Sequence, residues 1–221
     1  MSDAITAVNK DTFWTLIAQA REHPNAPDKW LMEQLMSLGP EQAKQFDNIA
    51  SAYTGLAYQY GLWTAASVME RGGCTDDGFL DFRGWLIAQG RDVYMAALKD
   101  PDSLSEAPDY QDQRFDSLPH MGGIVYKKLT GREIYEDFDP AGYNALKAEL
   151  KKDIVYGDGI GYPYDSADVP AYLPRLCRRY MPEQGETVDI GTWNLNSREI
   201  RAAHTTAHKS QKIKKERGDA R

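Results

Sequence analysis

The stretch at residues 72–91, GGCTDDGFLDFRGWLIAQGR, predicts an amphipathic helix in the middle of the chain. Apolar side chains recur at helical spacing from Phe79 onward, and we expect one continuous helix over about residues 76–99. At about 100° per residue, Arg83 falls inside this apolar stripe. Gly90 falls on the same side, where a missing side chain leaves room for another element or a ligand. The pattern therefore places a cation where an apolar residue is expected.

A guanidinium that faces the core needs a partner, because breaking a buried charge pair costs about 3–5 kcal/mol. We expect either a carboxylate or several backbone carbonyls next to Arg83. The sequence leaves four carboxylates open as partners: Asp76, Asp77, Asp47 and Glu33. In this interpretation Arg83 is a buried ion pair that specifies the fold, and Asp76 or Asp77 caps the helix, where a carboxylate complements the positive dipole end.

A second interpretation makes the same stretch a binding site. Arg83, with Gln89 and Arg91 nearby, would form a pocket for an anionic group, since the planar guanidinium suits a carboxylate or phosphate. An acid–base role for the adjacent Asp76 and Asp77 is disfavoured, because neighbouring aspartates at a helix cap diverge in direction. The candidate ligand or partner-binding residues are therefore Asp76, Asp77, Arg83, Gln89 and Arg91.

The rest of the chain up to Tyr180 also favours helices. Apolar residues recur at helical spacing after Asp11, a candidate N-cap, and again over about residues 26–38, 40–60 and 62–73. Residues 100–119 indicate a linking loop, two further helices follow, and residues 171–182 indicate a last helical turn or two. We find no alternating strand pattern. The sequence predicts an all-α, single multi-helix bundle-like domain at residues 10–180.

Composition indicates an ordinary globular protein, with 42% hydrophobic and 27% charged residues. Cys74 and Cys177 stand far apart and are expected to be free thiols in a reducing compartment, with one disulfide between them as the alternative. We recognise no secretory signal and no apolar run of about 18 residues, so we expect a cytoplasmic, bacterial-type protein without a membrane span.

The extension at residues 181–221 becomes polar and then basic, and we expect it to be a flexible tail. Its last 21 residues carry a net charge of +5 and the whole chain −7, which leaves −12 for residues 1–200. The body should repel nucleic acid, so only the tail is expected to attract it or an acidic partner. The tail residues predicted to make such contacts are Lys209, Lys212, Lys214 and Lys215.

No metal or cofactor site is predicted. His204 and His208 form HTTAH, which lacks the glutamate of the zinc-protease pattern. The glycines Gly157, Gly159 and Gly161 give GxGxG without a preceding strand, unlike a dinucleotide-binding loop. We also find no nucleophile elbow and no P-loop.

Three patterns in the chain occur together in one known family. They are an FW-L helix, the signature GGC-DDGF-FR-WLI-QGR and a later LPRL. The residues are Phe13, Trp14 and Leu16; Gly72, Gly73, Cys74, Asp76, Asp77, Gly78, Phe79, Phe82, Arg83, Trp85, Leu86, Ile87, Gln89, Gly90 and Arg91; and Leu173, Pro174, Arg175 and Leu176. Through them, residues 10–180 resemble the bacterial DUF4240 proteins of unknown function. Cys177 stands at the position of a tryptophan in that family, and the basic tail is an addition. The resemblance implies a fold and no activity.

We therefore expect a protein-interaction or regulatory module rather than an enzyme, binding another protein. Immunity or defence is one such role that fits the acidic body. The alternative is an enzyme or a sensor of a small anionic ligand that uses a pocket around Arg83.

Overall fold

The computed structural model of the chain describes residues 5–71, 73–110, 115, 117–157 and 168–181. This part of the chain is helical and contains no β-strand, which confirms the all-α prediction. The α-helices are α1 (Lys10–Arg21), α2 (Pro27–Leu38), α3 (Pro40–Leu56), α4 (Tyr60–Met69), α5 (Asp76–Ala88), α6 (Arg91–Lys99), α7 (Met121–Thr130), α8 (Pro140–Lys151), α9 (Val169–Tyr172) and α10 (Pro174–Tyr180). Shorter 3₁₀ segments are Pro101–Glu106, Leu118–His120 and Ile134–Asp137.

Helix α1 begins two residues earlier than the position of Asp11 suggested. The N-cap is Asn9, whose side-chain oxygen accepts hydrogen bonds from the backbone N–H groups of Asp11 at 2.9 Å and Thr12 at 3.0 Å. The Thr12 hydroxyl in turn accepts the N–H of Asn9 at 2.8 Å, completing a capping box. The predicted cap at Asp11 is therefore wrong, and its carboxylate instead lies in the first turn, near the positive end of the helix dipole.

The predicted continuous helix over residues 76–99 is also wrong, because the helix is interrupted at Gly90 and the segment forms α5 and α6. Gly90 has φ 95° and ψ 169°, and Gly39, between α2 and α3, has nearly the same values of 90° and 173°. Only glycine adopts this conformation readily. Each glycine precedes the first residue of a helix, so α5–α6 and α2–α3 are both joined by a sharp corner.

Helix α3 is the centre of the fold and packs against α2, α5, α7 and α8. Its approach to α7 depends on Gly122, because a Cβ there would lie 2.6 Å from both the Ala43 carbonyl oxygen and the Asp47 nitrogen. The Asp47 carboxylate accepts the N–H of Gly123 at 3.0 Å and so caps the start of α7. The core also contains an aromatic cluster formed by Phe13, Trp14, Phe46, Tyr53 and Tyr94.

The segment predicted as a linking loop is partly structured and fixes the last helix. Asp102, in the 3₁₀ segment Pro101–Glu106, is 5% exposed. Its carboxylate accepts the backbone N–H groups of Arg175 at 3.0 Å and Leu176 at 2.9 Å, and also Nε of Arg175 at 2.9 Å. The LPRL residues are therefore the capped start of α10, which packs against this segment and α4. The linking-loop prediction failed because Asp102 is paired with residues more than 70 positions away.

Both cysteines, Cys74 and Cys177, are buried free thiols, as predicted. Within the described residues, no helix is long and apolar enough to cross a membrane.

Candidate functional site

The carboxyl end of α3 receives side-chain donors from three distant parts of the chain. The last carbonyls of a helix have no partner within the helix. Here Tyr94 donates its hydroxyl to the Tyr53 carbonyl at 2.7 Å, Arg83 donates Nη1 to the Thr54 carbonyl at 3.0 Å, and Tyr156 donates its hydroxyl to the Leu56 carbonyl at 3.1 Å. Arg83, the central residue of the predicted site, is thus one of three caps on a helix end.

Arg83 is bound by carbonyls and aromatic rings rather than by a carboxylate. Its side chain is buried, with 8% of the residue exposed, and Nε donates to the Phe79 carbonyl at 3.0 Å. The guanidinium carbon lies 4.8 Å from the ring centre of Phe79 and 5.0 Å from that of Tyr58. In the described part of the chain Arg83 has no salt bridge. The ion-pair interpretation is therefore wrong, and the carbonyl alternative is correct.

The charge of Arg83 faces the negative end of the α3 dipole, which favours a cation. Burial lowers the pKa of Arg83 from its ordinary value of 12.5, and the guanidinium remains charged at neutral pH. Within the described residues its Nη2 makes no hydrogen bond. The neighbouring Tyr58 is 49% exposed. One nitrogen is therefore free to bind a ligand, and the binding role of Arg83 stays a prediction.

The Cys74 thiol lies close to Arg83, and the Glu70 carboxyl group lies close to that thiol. Burial, followed by the charge of Glu70, raises the pKa of Cys74 well above its ordinary value of 9.0. The pKa of Glu70 is also raised, mainly by burial, and the Cys74 thiol donates to the Thr75 carbonyl at 3.6 Å. Because the thiolate is the nucleophilic form, this arrangement holds Cys74 as an unreactive thiol.

The two aspartates of the signature are exposed in the first turn of α5. The N-cap is Thr75, whose hydroxyl accepts the N–H of Gly78 at 3.1 Å, so the proposed cap at Asp76 or Asp77 is wrong. Within the described residues neither aspartate makes a hydrogen bond or an ion pair. Both carboxylates nevertheless complement the dipole of α5.

Gln89 and Arg91 have different surroundings from Arg83. Gln89 is buried, donates to the Trp85 carbonyl at 3.0 Å and accepts Nη1 of Arg21 at 3.2 Å. Arg91 is the exposed first residue of α6. The structure therefore connects Arg83 to α3 and Gln89 to α1, rather than joining them through a shared hydrogen bond.

The sequence analysis missed a cleft of about 560 Å³ at the same helix end. Its lining residues come from α3, α8 and the chain around them: Gly55, Leu56, Gln59, Asn144, Lys147, Ala148, Lys151 and Tyr156. The only available signal was a pair of lysines four residues apart, a spacing that also describes a solvated helix face. Recognising the cleft required knowledge of how α8 packs on α3.

Other predicted features are less informative here. The tail lysines Lys209, Lys212, Lys214 and Lys215, and the histidine pair in HTTAH, lie outside the described residues. Among the residues that the structure describes, no three His, Cys, Asp or Glu side chains are grouped to hold a metal ion.

The fold and site define an all-α protein whose central helix is capped by a buried arginine. Residues 8–128, more than half of the chain, match the model of the family described as protein of unknown function (DUF4240). The chain belongs to this family. Searches of curated proteins and of solved structures found no match. The matched residues include Arg83 and all of α1–α6, whereas α8, which forms one wall of the cleft, follows the matched region.

Proposed function

We propose that the protein is a protein-interaction or regulatory module rather than an enzyme, and that it binds a partner protein through apolar side chains on and after α7. In the part of the chain that the structure describes, eight large apolar side chains are exposed, and four lie within residues 124–138. They are Ile124, Leu129, Tyr135 and Phe138. Such concentrations of exposed apolar residues are typical of interaction sites.

The two aromatic residues carry most of this proposal. Tyr135 is 72% exposed and Phe138 51% exposed, and aromatic side chains are enriched in protein interfaces. Their burial by a partner would remove a large apolar area from water, which is the main driving force of association.

The segment that carries Tyr135 and Phe138 is held in place by polar contacts. Asp137 accepts the Tyr126 hydroxyl at 2.6 Å and Nη2 of Arg132 at 2.8 Å, and its backbone carbonyl accepts Nζ of Lys44 at 2.8 Å. The Tyr126 hydrogen bond and the charge of Arg132 lower the pKa of Asp137, which keeps it ionised at neutral pH. A fixed surface loses little conformational entropy on binding, which favours recognition.

The proposed location is the cytoplasm, since two buried free thiols suit a reducing compartment. The extension at residues 181–221 would supply a second, salt-sensitive contact through its lysines, with an acidic partner or nucleic acid. A role in immunity or defence remains a hypothesis based on composition.

The test is affinity capture from the native host with the unmodified chain and with Tyr135→Ser/Phe138→Ser. Val155→Ser is the matched control, because Val155 is 64% exposed outside this surface. We expect one stoichiometric partner on the unmodified chain and the control, its loss from the double variant, and equal melting temperatures for all three. Retention of the partner by the double variant would exclude this surface as its binding site.

One observation favours the alternative, a small anionic ligand at Arg83: the Nη2 group has no hydrogen bond within the described residues. Arg83→Lys keeps a positive charge but loses the planar guanidinium. Native mass spectrometry should then show an anionic mass on the unmodified protein and none on a folded Arg83→Lys variant. The same mass on both proteins would exclude Arg83 as a ligand residue.

A further inference from the structure

The cleft between α3 and α8 contains two lysines that face the same space. Lys147 and Lys151 are four residues apart on α8, and both line the cleft. Residues at this spacing are neighbours on a helix, with Cβ atoms roughly 5–6 Å apart. Two flexible ammonium groups on such neighbouring positions are able to reach the same anion.

Among the residues that the structure describes, these two lysines lack the carboxylate partners that Lys10 and Lys152 have. Lys152, the next residue, pairs with Glu149 at 2.5 Å, and Lys10 pairs with Asp153 at 2.7 Å. Within the described residues, Lys147 and Lys151 make neither an ion pair nor a hydrogen bond. Like charges four residues apart on a helix repel each other. A bound anion would remove this repulsion.

Gly55 gives Lys147 its place against α3. A Cβ at position 55 would lie 2.9 Å from Nζ of Lys147, so the absent side chain is what leaves room for the ammonium group. The simplest structural explanation is that Lys147 complements the negative end of the α3 dipole. That explanation does not account for Lys151 or for a cleft of about 560 Å³, which is within the usual range for small-molecule sites.

The remaining polar residues of the cleft are neutral. Gln59 and Asn144 each bring an amide that donates and accepts hydrogen bonds, as the hydroxyl groups of a ligand require, and Nε2 of Gln59 also donates to the Leu56 carbonyl at 3.5 Å. The Tyr156 hydroxyl is occupied by the Leu56 carbonyl and fixes that wall of the cleft. Two adjacent cations beside neutral amides suit a ligand in which a dianionic group is attached to an organic group that carries hydroxyls.

We propose that the cleft between α3 and α8 binds a small phosphate monoester, with Lys147 and Lys151 binding the phosphate and Gln59 and Asn144 binding the hydroxylated remainder. This site is separate from the proposed protein-binding surface, and either proposal stands without the other. Free phosphate shares the charged group, so the test distinguishes the two.

The experiment is a titration of the full-length chain, followed by amide chemical shifts, with ribose 5-phosphate, inorganic phosphate and ribose as the three probes. We expect saturable shifts at residues 55–59 and 144–151 with ribose 5-phosphate, weaker binding of inorganic phosphate and no shifts with ribose. Equal affinities for the two phosphates would overturn the proposal that the cleft selects a phosphate monoester, because Gln59 and Asn144 would then contribute nothing to binding. No saturable shift with either phosphate at about 10 mM would overturn the proposal, because a dissociation constant above that concentration is too weak for a functional site.

Three variants test the residues. Lys147→Gln and Lys151→Gln should each weaken ribose 5-phosphate binding by about tenfold, which corresponds to about 1.4 kcal/mol. Lys152→Gln makes the same charge change on the next residue and should change binding by less than about twofold, since its ion pair is exposed. Equal weakening by all three would show a general charge effect and refute the site.

Gly55→Ala provides a variant without any change of charge. The added Cβ would meet only the flexible end of Lys147, so the fold should remain while the ammonium group is displaced. We expect unchanged melting and binding weakened several-fold. Unchanged binding with Gly55→Ala would exclude the observed position of Lys147 from the site.

Discussion

Replacing Arg83 with methionine tests whether the guanidinium is a structural cap of α3. Methionine has a similar length and fills much of the same space, but it cannot donate to the Thr54 carbonyl or carry charge. The backbone N–H of residue 83 is unaffected, so the Phe79 carbonyl keeps its partner within the helix. The main loss is therefore the interaction between the cation and the end of α3.

The size of this loss follows from two contributions. A hydrogen bond from a charged donor is worth about 1.5–3 kcal/mol, and a cation at a partly buried helix terminus up to about 2 kcal/mol, with overlap between the two. Relief from burying the guanidinium offsets part of this. We expect Arg83→Met to reduce the free energy of unfolding by about 2–3 kcal/mol, and Arg83→Lys, which keeps the charge, by about 1–2 kcal/mol.

The measurement is urea unfolding at pH 7, followed by circular dichroism, for the unmodified protein and both variants. Urea is uncharged and does not screen the helix dipole as guanidinium chloride does. A methionine variant within about 0.5 kcal/mol of the unmodified protein would refute the capping argument, because ordinary surface substitutions have effects of that size. Equal losses for methionine and lysine would show that the shape of the guanidinium matters and its charge does not.

Three further predictions concern buried contacts. Gly122→Ala should destabilise the protein by at least about 2 kcal/mol in urea unfolding, because the added Cβ would meet backbone atoms of α3. Gly123→Ala should destabilise it less, because its Cβ would meet only a carboxylate oxygen of Asp47, at 3.1 Å. Asp102→Ala should remove the cap of α10 and cost about 2–3 kcal/mol, because two backbone N–H groups lose a charged acceptor while Arg175 keeps Asp100 as a partner. Cys177, whose pKa is raised to about 11 by burial, should then react faster with a thiol reagent at pH 8, and an unchanged rate would contradict this role. Burial raises the pKa of Asp47 above its ordinary value of 3.8, so the contribution of Asp47 to stability is present below pH 3.8 and is lost as the pH rises through its pKa in the folded protein. The stability of Asp47→Asn relative to the unmodified protein should therefore increase from pH 4 to pH 7. A constant difference in stability would contradict the raised pKa of Asp47.

The sequence predicted the helices well because their signals are local. The stripe of Phe46, Ile49 and Tyr53 is buried in α3, and Pro40 lies in its first turn. The break at Gly90 was not visible, because apolar residues continue in helical register on both sides of it. The positive φ of Gly90 ends α5 and starts α6, and hydrophobic spacing carries no information about that angle.

The candidate site could be predicted only in part. Burial of Arg83 followed from its position in the apolar stripe. Its partner did not, because a backbone carbonyl 29 residues away is not marked by any residue type. The cleft with Lys147 and Lys151 was missed for a related reason: it exists only where α8 meets α3, and either helix alone shows an ordinary polar face.

The distances along the chain between α3 and its caps have a consequence for synthesis of the protein. The Thr54, Tyr53 and Leu56 carbonyls receive donors from positions 29, 41 and 100 residues later. A nascent chain emerges amino end first, so α3 is synthesised long before the donors that cap its carboxyl end. We expect growing chains that stop short of Tyr156 to fray at this end of α3 and to depend on chaperones until translation has passed that residue.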